Sequence, residues 1–171
     1  GFLISGGTAL LAPQVGHAAC DIPAVPPSNS VVTCTGSISG TYTIRNVQNV
    51  QLTSNADWTL SGASTGIINA DTGNLTGLSV TNNGSMTWGN ANYGGSGTGA
   101  RAVINVYTTG NSATQTSIIN ASTGVVTVNV TSNISNTRAI AGMAVYAGGT
   151  NSSVTWENAG TMVIPPKKAS T

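Results

Sequence analysis

The chain has 171 residues, with five Lys/Arg and four Asp/Glu, for a formal net charge of +1. Charged residues make up 5%, against about 25% in ordinary soluble domains, so the sequence carries no basic footprint for nucleic acid. Plentiful Val, Ile and Thr at low net charge argue against disorder. They point instead to a β structure whose polar surface is made of hydroxyls and amides.

Taken from the N-terminus, residues 2–12 are apolar and uncharged. Gly16 and Ala18 fit the −3 and −1 positions of a signal-peptidase site, so residues 1–18 read as the end of an export signal. A first strand or a cap is the alternative. The apolar run is too short for a membrane-spanning helix, which needs about 20 residues.

Cys20 and Cys34 are the only cysteines. In an exported chain they invite a disulfide. It would close a loop of about 15 residues, worth about 3 kcal/mol in the chain-entropy model. Pro23, Pro26 and Pro27 make residues 19–36 an irregular N-terminal cap loop and not a strand. A lipid-anchored Cys20 would leave Cys34 unpaired and lacks the usual preceding leucine. A zinc site is disfavoured because His17 is the only histidine.

From Val31 onward the chain parses as short β runs between turn residues. These are Ser30–Thr35, Gly40–Arg45, Val47–Thr53, Trp58–Leu60, Gly66–Ala70 and Leu78–Trp88. Asn69-Ala70, Asn83-Gly84, Asn120-Ala121 and Asn158-Ala159-Gly160 each close a run. They are expected to form corners, where Asn and Gly tolerate left-handed backbone. No apolar stripe of helical period is present.

The last third of the chain contains a repeat. Ala100–Tyr107 is echoed by Thr137–Tyr146, with an offset of about 37 at the two arginines and about 38 between Asn120 and Asn158. A repeat built from short β runs points to stacked β-coils, a β-solenoid over residues 37–164. Since a typical turn holds about 20–29 residues, each repeat is expected to contain more than one coil. Val103, Val106, Ile118, Val126 and Val128 are candidates for the inward column, matched by Ile140, Val145, Val154, Met162 and Ile164. Residues 165–171 read as a tail or a truncated continuation.

The chemistry-bearing residues are few. Asp21, Asp57, Asp71 and Glu157 are the carboxylates, and none neighbours another in sequence. Asp57 and Asp71 could meet on neighbouring coils as a pair for glycoside hydrolysis, which needs carboxyls about 5–10 Å apart. Asp71-Thr72-Gly73 reads more simply as a turn. The Gly94–Gly99 run lacks the Lys-Ser/Thr of a phosphate loop and the Asp of a calcium nonapeptide. Catalytic, cofactor-binding and metal-ligating residues are therefore assigned as none, and the chain is read as a non-enzyme with no cofactor. Arg101 and Arg138 recur beside Tyr107 and Tyr146, and these four are the candidate surface contacts for sugars or anionic surfaces. Solvated arginines are the simpler reading. Trp58, Trp88 and Trp156 are expected to be half-buried.

The export-signal ending, Cys20, the Pro-rich loop and Val32-Thr33-Cys34-Thr35-Gly36 resemble the start of Gram-negative autotransporter passengers. The Asn-Asn-Gly-Ser-Met run at 82–86, the Asn-Ala-Gly-Thr-Met run at 158–162 and the Arg-Ala…Val-Tyr units look like the degenerate repeats of that family. The resemblance implies an all-β, right-handed parallel β-helix, secreted or held at the outer-membrane surface through a C-terminal translocator barrel. The implied function is structural or adhesive, toward host or cell-surface glycans or proteins, with no nucleic-acid partner. Two alternatives stand beside it. One is a β-helical carbohydrate-active enzyme whose catalytic coils lie outside residues 1–171. The other is a filament- or layer-forming protein that self-associates through its solenoid ends.

Overall fold

The computed structural model describes residues 19–62, 66–72, 75–91, 101–108, 115–130 and 140–164. Residues 1–18, read above as the end of an export signal, the Gly94–Gly99 run, Arg138 and residues 165–171 lie outside them. The described residues form fifteen strands and no helix. They are β1 (Ala19–Cys20), β2 (Val31–Thr35), β3 (Ser37–Ser39), β4 (Tyr42–Ile44), β5 (Gln51–Ser54), β6 (Asp57–Ser61), β7 (Ile68–Thr72) and β8 (Leu78–Asn82). The rest are β9 (Ser85–Ala91), β10 (Arg101–Thr108), β11 (Gln115–Asn120), β12 (Val125–Val130), β13 (Ile140–Ala147), β14 (Ser153–Asn158) and β15 (Thr161–Val163).

The strands sort into three sheets visited in rotation. The first sheet runs β1-β2-β5-β8-β11-β14, the second β3-β6-β9-β12-β15 and the third β4-β7-β10-β13. Apart from β1, every strand pairs parallel with the strand three places along the chain. Side chains alternate across a strand, so in-register pairing lines one residue from each strand into a column. Val32, Leu52, Val80 and Ile118 form such a column and are all buried. Residues from all three sheets pack in one buried core cluster.

Two of the sequence runs are divided by the fold. Within Val47–Thr53 only Gln51 onward is strand, because Asn46 and Asn49 take left-handed φ of 50° and 54° and turn the chain. Val50 and Leu52 are nonetheless both buried, as their alternation implies. Leu78–Trp88 is two strands, β8 and β9, broken at Asn83-Gly84. A Cβ on Gly84 would run into the carbonyl oxygen of Ala56, so the corner needs glycine. Asn69-Ala70 is no corner at all but lies inside β7. Left-handed asparagines are found at Asn29, Asn46, Asn49 and Asn151, and not at the four run-closing positions.

The circuit through the three sheets lengthens along the chain. Hydrogen-bonded asparagines one circuit apart are 20 residues apart at Asn29 and Asn49, 28 at Asn55 and Asn83, and 38 at Asn82 and Asn120. Third-sheet strands grow with it, from 3 residues in β4 to 8 in β10. The repeat of the last third is therefore a single long circuit and not several coils. Its register also differs from the simplest alignment. Arg101 pairs with Ile140, so Arg138 is not its partner, whereas Tyr107 does pair with Tyr146.

The disulfide forms, with Cys20 and Cys34 bonded at 2.01 Å. The cap is more regular than its prolines suggest. Ala19–Cys20 is a short antiparallel strand on β2, and it covers the edge of the first sheet. Val25 and Asn29 donate backbone hydrogen bonds to Thr43 and Gln48. The buried Tyr42 hydroxyl, beneath the cap, reaches the carbonyls of Ile22 (3.0 Å) and Pro23 (3.1 Å). Burial, helped by the nearby Asp21 charge, raises the Tyr42 pKa to about 12. The folded state thus holds a proton that the unfolded chain releases at its usual value of 10.0. Stability from this group is complete below pH 10 and is lost as pH rises from 10 toward about 12. Urea unfolding across that range should show the decline, and Tyr42→Phe should remove it.

Large aromatics fill the interior. Trp58 and Trp88 are buried and not half-buried, and their indole N–H groups donate to Gly40 and Gly62 carbonyls at 2.9 and 3.0 Å. Tyr42 meets Trp58 edge-on, with ring centroids 6.2 Å apart. The opposite end differs. β13, β14 and β15 each end their sheet, and Val154, Trp156, Val163 and Ile164 are exposed there. Val154 and Ile164 are thus not buried as their sequence pattern suggests. Both lie at the end of the stack, where no further strand is laid over them among the described residues.

Candidate functional surface

Two features of the stack are built from polar or aromatic residues in register. The first is interior. At the corner between the first and second sheets, Cys34, Ser54, Asn82, Asn120 and Asn158 occupy one column. Asn82 Nδ2 donates to Asn120 Oδ1 at 2.9 Å, and Asn120 Nδ2 donates to Asn158 Oδ1 at 2.8 Å. Asn120 Nδ2 also lies 3.2 Å from the carbonyls of Gly124 and Thr161. Asn82 and Asn120 are fully buried, where an amide without partners would be costly. A Cβ on Gly124 would run into Asn120 Oδ1 and the Asn82 carbonyl, and one on Gly160 into the carbonyls of Gly124 and Ala121. Glycine after each asparagine thus lets the next turn close over the ladder.

The ladder stops at Ser54. Ser54 Oγ and Asn82 Oδ1 are buried without a hydrogen-bond partner, although the two residues are register neighbours. The hydroxyl is too short to continue the amide row. Ser54→Asn should supply the missing donor and raise stability by about 1 kcal/mol. A higher urea midpoint at unchanged m-value would bear this out. A lower one would mean that the added atoms do not fit beside Cys34.

The second feature is exposed. Tyr107 on β10 and Tyr146 on β13 are register partners whose rings stack, with centroids 4.9 Å apart and planes 21° apart. They are 44% and 54% exposed. Asp71 of β7 pairs with Tyr107 in the same lane. The neighbouring lane reads Thr43, Asn69, Asn105 and Ala144. There Asn105 Nδ2 donates to Asn69 Oδ1 at 3.0 Å. Of the four candidate surface contacts, the fold joins the two tyrosines. Arg101 lies at the other end of β10, and Arg138 lies outside the described residues. The amides beside the tyrosines were not singled out from sequence. Their signal was the shared spacing Asn105-x-Tyr107 on one alternating face.

Asp57 lies on β6 in the second sheet and Asp71 on β7 in the third, so they are not on neighbouring strands of one sheet. Among the described residues, no group of three or more His, Cys, Asp or Glu side chains is placed to hold a metal. Compared with known protein families, curated proteins and solved structures, the chain matches none.

Proposed function

We propose that the chain is a right-handed parallel β-helix, part of an autotransporter-type passenger displayed at or released from a bacterial surface, where it acts as a structural or adhesive rod. The observation that carries the reading is the in-register parallel pairing of each strand with the strand three places on, in all three sheets. Right-handedness follows from the twist of β-strands, which makes parallel crossover connections right-handed in about 98% of cases. The disulfide suits an oxidising compartment. The mechanism is multivalent: a stiff rod holds repeated Thr, Ser and Asn faces in fixed order and makes weak contacts in parallel. Beads coated with the purified chain should adhere to host or bacterial cells, and more strongly as coating density rises. Beads that never bind more cells than uncoated ones would overturn the adhesive role.

One observation favours a second reading, self-association into filaments or layers. The exposed Val154, Trp156, Val163 and Ile164 sit beside three strand edges that no further strand pairs among the described residues. Light scattering that rises with concentration, and falls with Trp156→Lys, would support it.

A further inference from the structure

The aromatic residues divide into two sets. Tyr42, Trp58 and Trp88 are buried, and each places its polar tip on a backbone carbonyl. Tyr107 and Tyr146 are exposed, as is Trp156 at the end of the first sheet, and neither tyrosine hydroxyl has a hydrogen bond among the described residues. Tyr107 is not exposed for want of a covering strand, since β10 lies between β7 and β13. The fold therefore sets two stacked rings on an outward face where core packing does not require them.

Their surroundings narrow the partner. Asn105 lies two residues before Tyr107 on the same face, about 7 Å away along the strand. Its Nδ2 is engaged by Asn69, and its Oδ1 accepts no hydrogen bond among the described residues. Ala144 follows Asn105 in the lane and flanks Tyr146, so a small side chain leaves the amide open beside the rings. An extended peptide could pair only along β13, which ends its sheet among the described residues, and there it would leave Asn105, one strand further in on β10, without a partner. A purely apolar partner would cover Asn105 and Thr43 without offering hydrogen bonds, whereas Asn69 is already buried and bonded to Asn105. What remains is a partner with C–H faces to lie on aromatic rings and hydroxyls to meet amides.

We propose that the Tyr107–Tyr146 pair, with Asn105, is a binding site for a neutral polysaccharide. Pyranose C–H groups pack on the tyrosine rings, and a sugar hydroxyl donates to Asn105 Oδ1. The proposal rests on the surface-adhesive reading and names the chemistry of its contact. Affinity is weak at a single site and grows through many sites on one glycan chain.

Affinity electrophoresis of the 171-residue chain through gels containing dextran, galactomannan or a mixed-linkage β-glucan tests it. At least one of these should retard the chain. The double variant Tyr107→Ser/Tyr146→Ser should weaken that retardation about tenfold, as the loss of two stacking contacts implies. Tyr107→Phe/Tyr146→Phe should keep most of it, and Trp156→Ser, which removes the exposed tryptophan at the end of the stack, should change nothing. Thermal melts confirm that each variant is folded. Retardation by none of the three, or equal retardation of the Ser double variant, overturns the site. The bead assay separates the two levels. Adhesion that survives the Ser double variant removes the glycan site and leaves the adhesive reading standing. Absence of adhesion by the unaltered chain removes that reading itself.

Discussion

Trp88→Ala should destabilise the protein by about 3–5 kcal/mol, the cost of removing a large aromatic from a packed core. Trp88 is fully buried, lies between Leu60 and Val128 in its column, and donates to the Gly62 carbonyl. The substitution opens a cavity in the middle of the second sheet. It also strands a carbonyl at the turn that leads from β6 toward β7. Urea unfolding followed by far-ultraviolet circular dichroism measures the loss. Trp156→Ala is the internal comparison. At 52% exposure that ring has little to lose, and its removal should cost less than about 1 kcal/mol. Equal effects at the two sites would mean that Trp88 is not the packed centre of its column.

How much of this was legible in the sequence depends on whether a feature is local or needs a partner strand. Alternation within a run is local, so Val50 and Leu52 could be placed on one face before any strand was paired. The cysteine pair was also legible, because two cysteines leave one pairing within the chain. Register is not local. A shift of two residues is invisible to a pattern of period two, which is why the arginines were matched at Arg101 and Arg138 when the sheet pairs Arg101 with Ile140. Circuit length was misjudged for a related reason. Typical solenoid turns are shorter than the repeat, but here the third-sheet strands lengthen and one passage through the three sheets takes up the whole repeat. The fates of the tryptophans depended on neighbours. Trp58, Trp88 and Trp156 look alike in sequence, and only the strands laid over the first two bury them. The two tyrosines stand out in the sequence, but their register pairing and the amide lane beside them become visible only once β7, β10 and β13 are aligned.

Asn120→Leu should cost about 3 kcal/mol, although leucine keeps the volume and adds apolar surface. The amide at this position accepts from Asn82 and donates to Asn158, with the Gly124 and Thr161 carbonyls also in range. Leucine satisfies none of them. Asn158 is exposed, so water can replace the donor its Oδ1 loses, but the buried Asn82 Nδ2 keeps only the longer contact of 3.4 Å to the Val125 carbonyl. Each buried polar group left without a partner costs about 1–3 kcal/mol. That outweighs the transfer gain from the added carbons, each worth about 0.8 kcal/mol at most, because the Asn82–Asn120 bond is enclosed and no water replaces it. The exposed Asn55–Asn83 pair has the same geometry, with a 3.0 Å bond, but water can replace either partner. Asn83→Ala should therefore cost well under 1 kcal/mol. The two variants differ in burial and not in the type of bond, so their ratio in urea unfolding measures what enclosure adds to an asparagine ladder. A loss at Asn120 no larger than at Asn83 would mean that apolar packing alone holds the corner. A large loss would make the ladder a register lock: strands slipped by one residue would put Asn82, Asn120 and Asn158 on the outer face, and apolar or charged neighbours such as Ile119 and Glu157 into the column.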